Sequence, residues 1–262
     1  MSSIIDNKRD NLLVTEVNQM LDNAEFSSMA VGYFYLSGFE AIREKLNKVQ
    51  NLKLLIGTHT NNETIEELVK GHKAPEYIEQ TLRQEQRKTS NQKKDIVTHT
   101  QYEYAKDLTF MEQNESNQVG LSALWELIQE NRIEIRVYAK GFLHSKAYIF
   151  DAPKGGMIEG MAIVGSSNLS ISGLANNTEL NVKITNQNDF QDVKKWFSDI
   201  WEQSEPFSKE LMEMVEKSWV QQQATPYEVY IKTLYNLVKD RVDIKEHLLN
   251  ERSSFDFNKL YP

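Results

Sequence analysis

The alternation of apolar and polar positions predicts a strand–helix–strand unit near the start of the chain. Residues 11–23 (NLLVTEVNQMLDN) carry apolar side chains at helical spacing, and residues 39–50 (FEAIREKLNKVQ) repeat that spacing. Two short apolar runs, 29–34 and 52–57, flank the second helix and are typical of buried strands. Because such a connection is almost always a right-handed crossover, the two strands are predicted to pair in parallel.

Four short strand-like runs follow a helical pattern over residues 119–131 (VGLSALWELIQEN). They lie so close together that they are expected to form an antiparallel or mixed part of the sheet. The segment 152–160 contains proline and glycine, and it predicts an extended hairpin turn. The four predicted strands are residues 133–139, 145–151, 161–166 and 179–185.

From residue 188 onward the pattern becomes helical. Residues 188–203 (NDFQDVKKWFSDIWEQ) place apolar side chains along one stripe, and further helical segments follow Pro206 and Pro226. We therefore predict an α/β domain over residues 1–187 and a C-terminal helical extension or connector over residues 188–262.

The chain turns polar between residues 70 and 120. Two interpretations of residues 81–95 (TLRQEQRKTSNQKKD) stay open at this point. A solvated helix with a mobile loop explains the scarcity of apolar residues, and a flexible basic arm over a phosphate-binding cleft explains the cations. Those cations are Arg83, Arg87, Lys88, Lys93 and Lys94.

Composition narrows the classes of protein to consider. The 262 residues have a formal net charge of -8, so no overall positive field attracts nucleic acid or anionic membrane, although a local basic strip can still hold a phosphate backbone. The absence of cysteine excludes disulfides and thiolate chemistry. No signal-like start and no apolar run of about 18 residues is present, so we expect a soluble, cytoplasmic protein without membrane contact.

A histidine, a lysine and an aspartate interrupt an otherwise apolar strand in GFLHSKAYIFD, residues 141–151. Alternation along a strand puts His144, Lys146, Tyr148 and Phe150 on one face and Asp151 on the other. An ammonium group beside an imidazole favours the neutral, nucleophilic form of the imidazole. It also supplies positive charge for a phosphoryl oxygen. The spacing therefore indicates chemistry on a phosphate.

A second polar group follows in VGSSNLSISGL, residues 164–174, with Gly165, Ser166 and Asn168. From ordinary residue frequencies, H-x-K-x4-D with G-S-x-N downstream should arise by chance in on the order of one chain in ten thousand. HSKAYIFD and GSSN together resemble the corresponding motifs of the phospholipase D superfamily, and the opening strand–helix–strand resembles its nuclease-like branch. The resemblance covers residues from about 12 to about 185 and implies an α/β/α sandwich with a mixed sheet.

The chain departs from the pattern of the superfamily in one place. The interval between Asp151 and Gly165 is longer than the usual short turn, which predicts a lengthened hairpin that leaves the two motif strands in register.

The resemblance implies a role for each motif residue. His144 would be nucleophile or acid in a phosphohistidine mechanism, and Lys146 and Asn168 would bind the nonbridging oxygens. Ser166 would add a hydrogen bond, and Glu179 would orient the imidazole. Asp151 and Gly165 would be structural, and no metal or other cofactor would be required because lysine and asparagine donors stabilise the charge.

Two histidines are needed for such a reaction, but the chain has a single H-x-K-x4-D motif. None of its other four histidines has a lysine two residues on and a downstream G-S-x-N. We therefore expect a homodimer in which two chains contribute one His144 each to a shared site.

Single-motif members of the superfamily resemble bacterial nucleases and the catalytic domains of restriction endonucleases, which favours DNA as substrate. Arg136, Lys140 and Lys154 are candidate contacts for its backbone. A phospholipid phosphodiesterase is less favoured, and a nucleic-acid-binding or dimerisation module without catalysis is the other alternative. The final residues 260–262 (LYP) resemble the opening of helicase motor domains, which would make such a motor a partner in a longer chain.

Overall fold

The computed structural model describes residues 4–57, 90–111, 113–141, 143–220, 230 and 233–235. Within these residues, a mixed β-sheet carries helices on both faces. The strands are β1 (Ile4–Ile5), β2 (Phe26–Val31), β3 (Asn51–Ile56), β4 (Ile133–Val137), β5 (Lys146–Asp151), β6 (Gly160–Gly165), β7 (Asn181–Ile184) and β8 (Glu205–Pro206). The helices are α1 (Leu13–Leu21), α2 (Leu36–Leu46), α3 (Ser90–Phe110), α4 (Glu115–Gln129), α5 (Gln187–Trp201) and α6 (Ser208–Lys217), with a π-helical turn over Ser172–Asn176.

The strands follow the order β1-β7-β6-β5-β2-β3-β4-β8 across the sheet. β2, β3 and β4 run parallel, as the strand–helix–strand pattern predicts for the first pair. β5 is antiparallel to both β2 and β6, and β6 is antiparallel to β7, which confirms a mixed sheet. The edge strands β1 and β8 have two residues each, so they are too short to show any periodicity in the sequence.

The larger core lies on one face of the sheet, where helices α1, α2, α3, α4 and α6 pack. Tyr148 and Phe150 of β5 point into it, as the alternation along this strand predicts. Leu54 of β3 and Phe39 of α2 are among the other side chains that are fully buried there. Burial of this apolar area is the main stabilising contribution to the fold.

Helix α5 covers the opposite face of the sheet. Its Phe190, Phe197 and Trp201 are buried against Ala147 and Ile149 of β5. The side chain of Asn186 accepts hydrogen bonds from the backbone N–H groups of residues 188 and 189, which fixes the start of the helix. The predicted extension from residue 188 therefore begins with a helix whose apolar stripe packs on the sheet.

Residues 1–220 group into one compact unit and residues 221–262 into another. In the second unit, the four described residues are helical. Arg83, Arg87 and Lys88 of the basic segment and the LYP sequence at 260–262 lie outside the described residues. Lys93 lies on α3 and pairs with Glu205 at 2.8 Å. No helix among the described residues is long and apolar enough to cross a membrane.

The ion pair between Asp151 and Lys194 joins β5 to α5 at 2.6 Å. We expect Lys194→Ala to lower the free energy of unfolding by about 1 kcal/mol, because the lysine is partly exposed and solvent screens the pair. Lys195→Ala is the matched control, since that neighbouring lysine is exposed, and it should change stability by less than about 0.5 kcal/mol. Urea denaturation followed by circular dichroism measures both, and equal effects of the two substitutions would contradict the pairing.

Candidate active site

The predicted catalytic residues come together because four strand ends meet at one edge of the sheet. In the register of β5, β6 and β7, Lys146 lies opposite Gly165, and Gly165 lies opposite Asn181. β2 ends beside the start of β5, since Ala30 pairs with Ala147. Antiparallel neighbours place the beginning of one strand beside the end of the next, so residues far apart in sequence share this edge.

Lys146 is half-buried at the first position of β5. Its ammonium group donates a 2.8 Å hydrogen bond to the backbone carbonyl of His144. Burial lowers the pKa of Lys146 below its usual value, and the nearby carboxylate of Glu179 partly opposes that shift. The lysine is thus a cation in a partly desolvated place, where an anion is bound more strongly than in open water.

His144 lies two residues before Lys146, in the segment that leads into β5, and it is exposed at this edge of the sheet. Because Lys146 holds the backbone carbonyl of His144, the two residues are tied together locally. Asp151 lies at the other end of the same strand, where it contacts Lys194. Six residues of strand separate the two ends of the motif by about 17 Å, so the structure does not bring Asp151 to the site.

Ser166 and Glu179 form a hydrogen-bonded pair just beyond the ends of β6 and β7. The Ser166 hydroxyl donates to the Glu179 carboxylate and accepts from the backbone N–H of Leu180 at 3.1 Å. A hydroxyl has a single proton to donate. In this arrangement the hydrogen bond of the Ser166 hydroxyl goes to Glu179, whose carboxylate it positions.

Ser167, the residue between Ser166 and Asn168, is fully buried and forms hydrogen bonds with Asn181 and Tyr148. Asn181 donates to its hydroxyl at 2.9 Å, and the Asn181 amide oxygen accepts from the backbone N–H of Ser167 at 3.4 Å. Tyr148 donates to the Ser167 carbonyl at 2.9 Å. Tyr148, Ser167 and Asn181 all have 0% exposure. Burial raises the pKa of Tyr148 far above its ordinary value, so the phenol stays a neutral donor.

The side-chain oxygen of Asn168 is fixed by a hydrogen bond. Its Oδ1 accepts a 3.1 Å hydrogen bond from the backbone N–H of Tyr33 in the loop after β2. This contact distinguishes the oxygen from the nitrogen, so the two N–H donors of Asn168 remain for another acceptor. Gly32 lies beside it, and a Cβ there would stand only 3.2 Å from Asn168 Oδ1. The small residue therefore lets β2 approach the amide closely.

Gly165 is required by the packing between β6 and β7. A Cβ at this position would overlap with the amide oxygen of Asn181 and with the Leu180 carbonyl. Those groups are fixed by the strand pairing and by the contact with Ser167, so they cannot easily move away. The glycine of the G-S-x-N motif is thus explained by close backbone approach.

The three candidate substrate contacts lie in different places. Lys140 lies in the connection from β4 to β5 and donates to Gln203 at 3.0 Å. Arg136 lies on the α5 face, bonded to Glu134 at 2.9 Å and placed 4.8 Å from the Trp201 ring centroid. Lys154 follows β5 and lies at the edge opposite His144. The structure therefore brings only Lys140 to the same edge as the motif residues.

Sequence reasoning missed the supporting residues Tyr148, Ser167, Asn181, Gly32 and Tyr33. A polar Asn181 inside the run ELNVKIT was a usable signal, since it lies two positions after Glu179 and so shares a face with it on a strand. Gly32 and Tyr33 carried no such signal, because their role depends on contact with a segment about 135 residues away.

The structure resembles NucT from Helicobacter pylori at 12% identity and a TM-score of 0.41, covering 74% of this chain and 91% of that one. It also resembles Nuc from Salmonella typhimurium, a phospholipase D family member, at 14% identity and a TM-score of 0.41, covering 73% and 88%. A phosphatidylserine synthase from Haemophilus influenzae matches at 11% identity and a TM-score of 0.43, covering 86% and 43%. These likenesses are too distant to support an argument about substrate.

No curated protein matches the chain. The family described as "Cardiolipin synthase, PLD-like domain" matches residues 17–201, which include every strand from β2 to β7 and all of the predicted catalytic residues. The chain belongs to this PLD-like family, within the phospholipase D superfamily of phosphodiester hydrolases.

Proposed function

We propose that the protein is a metal-independent phosphodiesterase that cleaves DNA through a phosphohistidine intermediate, at a site shared by two chains. The observation that supports this most is the meeting of His144, Lys146, Asn168 and Glu179 at one edge of the sheet. Phosphoryl transfer to histidine requires a nucleophile, donors for the phosphoryl oxygens and a carboxylate that orients the imidazole. These four residues would supply all of these groups.

The reaction proceeds in two displacements. An imidazole nitrogen of one His144 attacks phosphorus, and the bond to the leaving oxygen breaks as the protonated imidazole of the second His144 donates its proton to that oxygen. The second imidazole, now neutral, then takes a proton from water, whose oxygen attacks phosphorus. The phosphorus–nitrogen bond breaks, which frees the first histidine and leaves a phosphomonoester.

The charge that develops on the nonbridging oxygens needs fixed donors. Lys146 supplies a half-buried ammonium group, and Asn168 supplies N–H donors whose direction is fixed through Tyr33. Glu179, held by Ser166, would accept a hydrogen bond from an imidazole and fix its tautomer. Donors held in place before the reaction lower the barrier because they need no reorganisation as charge develops.

The requirement for a second histidine supports the dimer. The single motif supplies one His144 per chain, and a twofold axis beside this edge would bring its mate to the same phosphorus atom. Such an axis also makes the two histidines equivalent, so either one can act as the nucleophile.

DNA is the favoured substrate because Lys140 adds a cation at the edge that carries Lys146. A phosphate backbone continues on both sides of the scissile bond and can reach such a cation, whereas a small headgroup cannot extend as far. Phospholipid is the second candidate, and the description of the matched family as cardiolipin synthase favours it.

We expect the full chain to cleave DNA in excess EDTA and His144→Ala to abolish that cleavage, because the nucleophile is lost while no metal takes part. Incubation of labelled single- and double-stranded DNA followed by gel electrophoresis measures this. Phosphatidylglycerol vesicles, assayed for headgroup release, provide the competing substrate. Headgroup release without DNA cleavage would contradict the assignment to DNA, and DNA binding without cleavage would indicate the non-catalytic module.

A shared site predicts that a His144→Ala subunit inactivates the wild-type subunit with which it pairs. With a ninefold excess of the variant and full exchange of subunits, almost all wild-type chains would be in mixed dimers that lack one histidine. Cleavage per wild-type chain should then fall about tenfold. The molecular mass in solution, measured by light scattering, should correspond to two copies of the chain. Undiminished cleavage per wild-type chain after exchange would contradict a shared site.

The lowered pKa of Lys146 predicts a particular pH dependence. Phosphate binding needs the protonated amine, so kcat/KM should fall as the pH rises through a pKa below 10.5, the usual lysine value. Lys146→Arg should retain less activity but lose this alkaline limb, since guanidinium stays protonated. Initial rates at pH 6 to 11 measure both profiles, and an unchanged limb in the arginine variant would assign it to another group.

A further inference from the structure

Two tyrosines flank the candidate active site on the loop that follows β2. Phe34 forms a parallel bridge with Leu169, directly after Asn168, and Tyr35 donates its backbone N–H to the Leu169 carbonyl at 3.0 Å. Phe34 is buried in the core at 6% exposure. In an extended segment, the residues on either side of a buried one point away from the core, which applies here to Tyr33 and Tyr35.

The loop is held from both sides. The backbone N–H of Tyr33 donates to the Asn168 side chain, and the Tyr104 hydroxyl of α3 donates to the Phe34 carbonyl at 3.3 Å. Its backbone is therefore fixed before any ligand arrives. An aromatic side chain on a fixed backbone has only its own rotamers to lose on binding, so contact with its ring contributes more fully to affinity.

The two rings are inclined to each other rather than stacked. The ring centroids of Tyr33 and Tyr35 lie 6.5 Å apart with planes inclined by 51°, and Tyr35 is 42% exposed. Burial raises the pKa of the Tyr35 phenol, and the nearby carboxylate of Asp107 raises it further. A carboxylate there repels a phosphate, but it does not repel the uncharged face of a nucleobase.

The position of the two tyrosines relative to the phosphate site indicates which part of a substrate their rings would contact. The Asn168 amide that would bind the scissile phosphate is directly bonded to the backbone of Tyr33. The first group beyond a phosphodiester in a nucleic acid is a sugar with its base. Bases with exposed faces stack on aromatic side chains, and this contact is tolerant of sequence.

Resting on the proposed function, we propose that Tyr33 and Tyr35 form a stacking platform for an unpaired base beside the scissile phosphate. The preferred substrate is therefore single-stranded nucleic acid. In a duplex each base is paired and stacked between its neighbours, so its face can reach the platform only after it is unstacked, which costs energy.

The test measures binding, so that it does not depend on cleavage. His144→Ala in the full chain is titrated against a fluorescent single-stranded oligonucleotide, an abasic oligomer of the same length and the matching duplex. We expect the base-containing single strand to bind more tightly than the other two. Adding Tyr33→Leu or Tyr35→Leu should raise its dissociation constant about 5- to 150-fold and leave the abasic oligomer unchanged. Tyr→Phe at either position should retain binding, because the ring remains.

Several outcomes overturn the platform. Two concern the ligands alone: equal affinity for the base-containing and abasic strands, and duplex binding as tight as single-strand binding. The other two are an equal weakening of the binding of every ligand in the leucine variants, and no binding of any strand. An effect of the leucine variants on phosphatidylglycerol vesicles alone would likewise overturn it in favour of a lipid surface. The abasic comparison needs no tyrosine variant, so it can overturn the platform even if a leucine variant does not fold. Base-dependent binding by His144→Ala, together with no DNA cleavage by the wild-type chain, would refute the proposed hydrolysis and leave the platform standing.

Discussion

Three fully buried side chains, Tyr148, Ser167 and Asn181, hold the segment on which the candidate site is built. Asn181 engages both the backbone N–H and the hydroxyl of Ser167, and Tyr148 engages its carbonyl. The backbone N–H, the hydroxyl oxygen and the carbonyl of Ser167 thereby each have a partner inside the protein, and loss of one partner would leave a buried group unpaired at a cost of about 1–3 kcal/mol. With Ser167 turned inward, its neighbours Ser166 and Asn168 are directed toward the site.

The same network links the site to the sheet. Tyr148 lies two residues beyond Lys146 on β5, and Asn181 begins β7, so the segment after β6 is fixed to the strands on both of its sides. The loop after β2 adds a further contact through Tyr33 and Asn168. Strand pairing therefore positions the ammonium group of Lys146, while the amide of Asn168 and the carboxylate of Glu179 lie in the connection between β6 and β7, whose ends this network and strand pairing fix.

Local electrostatics at this edge differ from those of the whole chain. The chain carries a net charge of -8, yet Lys146 is a half-buried cation whose pKa burial lowers. Desolvation makes this ammonium costly on its own, and a bound phosphate would relieve that cost. Glu179 offsets part of it, but its carboxylate is already engaged by Ser166. Affinity for an anion can thus be present at one edge of an acidic protein.

The sequence alone determined the mixed sheet, the parallel pair near the start and the motif residues His144, Lys146 and Asn168. Periodicity records which positions are buried, and the motif spacing is rare enough to exclude chance. Local pattern could not show that α5 covers the sheet, because an amphipathic helix has the same sequence whether it packs on its own domain or on an extension.

Only the tertiary structure decided how distant residues combine. It placed Arg136 against Trp201 and Lys154 at the far edge, and it brought Tyr33 to Asn168. These relations depend on strand order and packing, which join segments that lie 65 residues apart for Arg136 and Trp201 and 135 residues apart for Tyr33 and Asn168. A sequence specifies such contacts through the packing of the whole chain and carries no local mark of them.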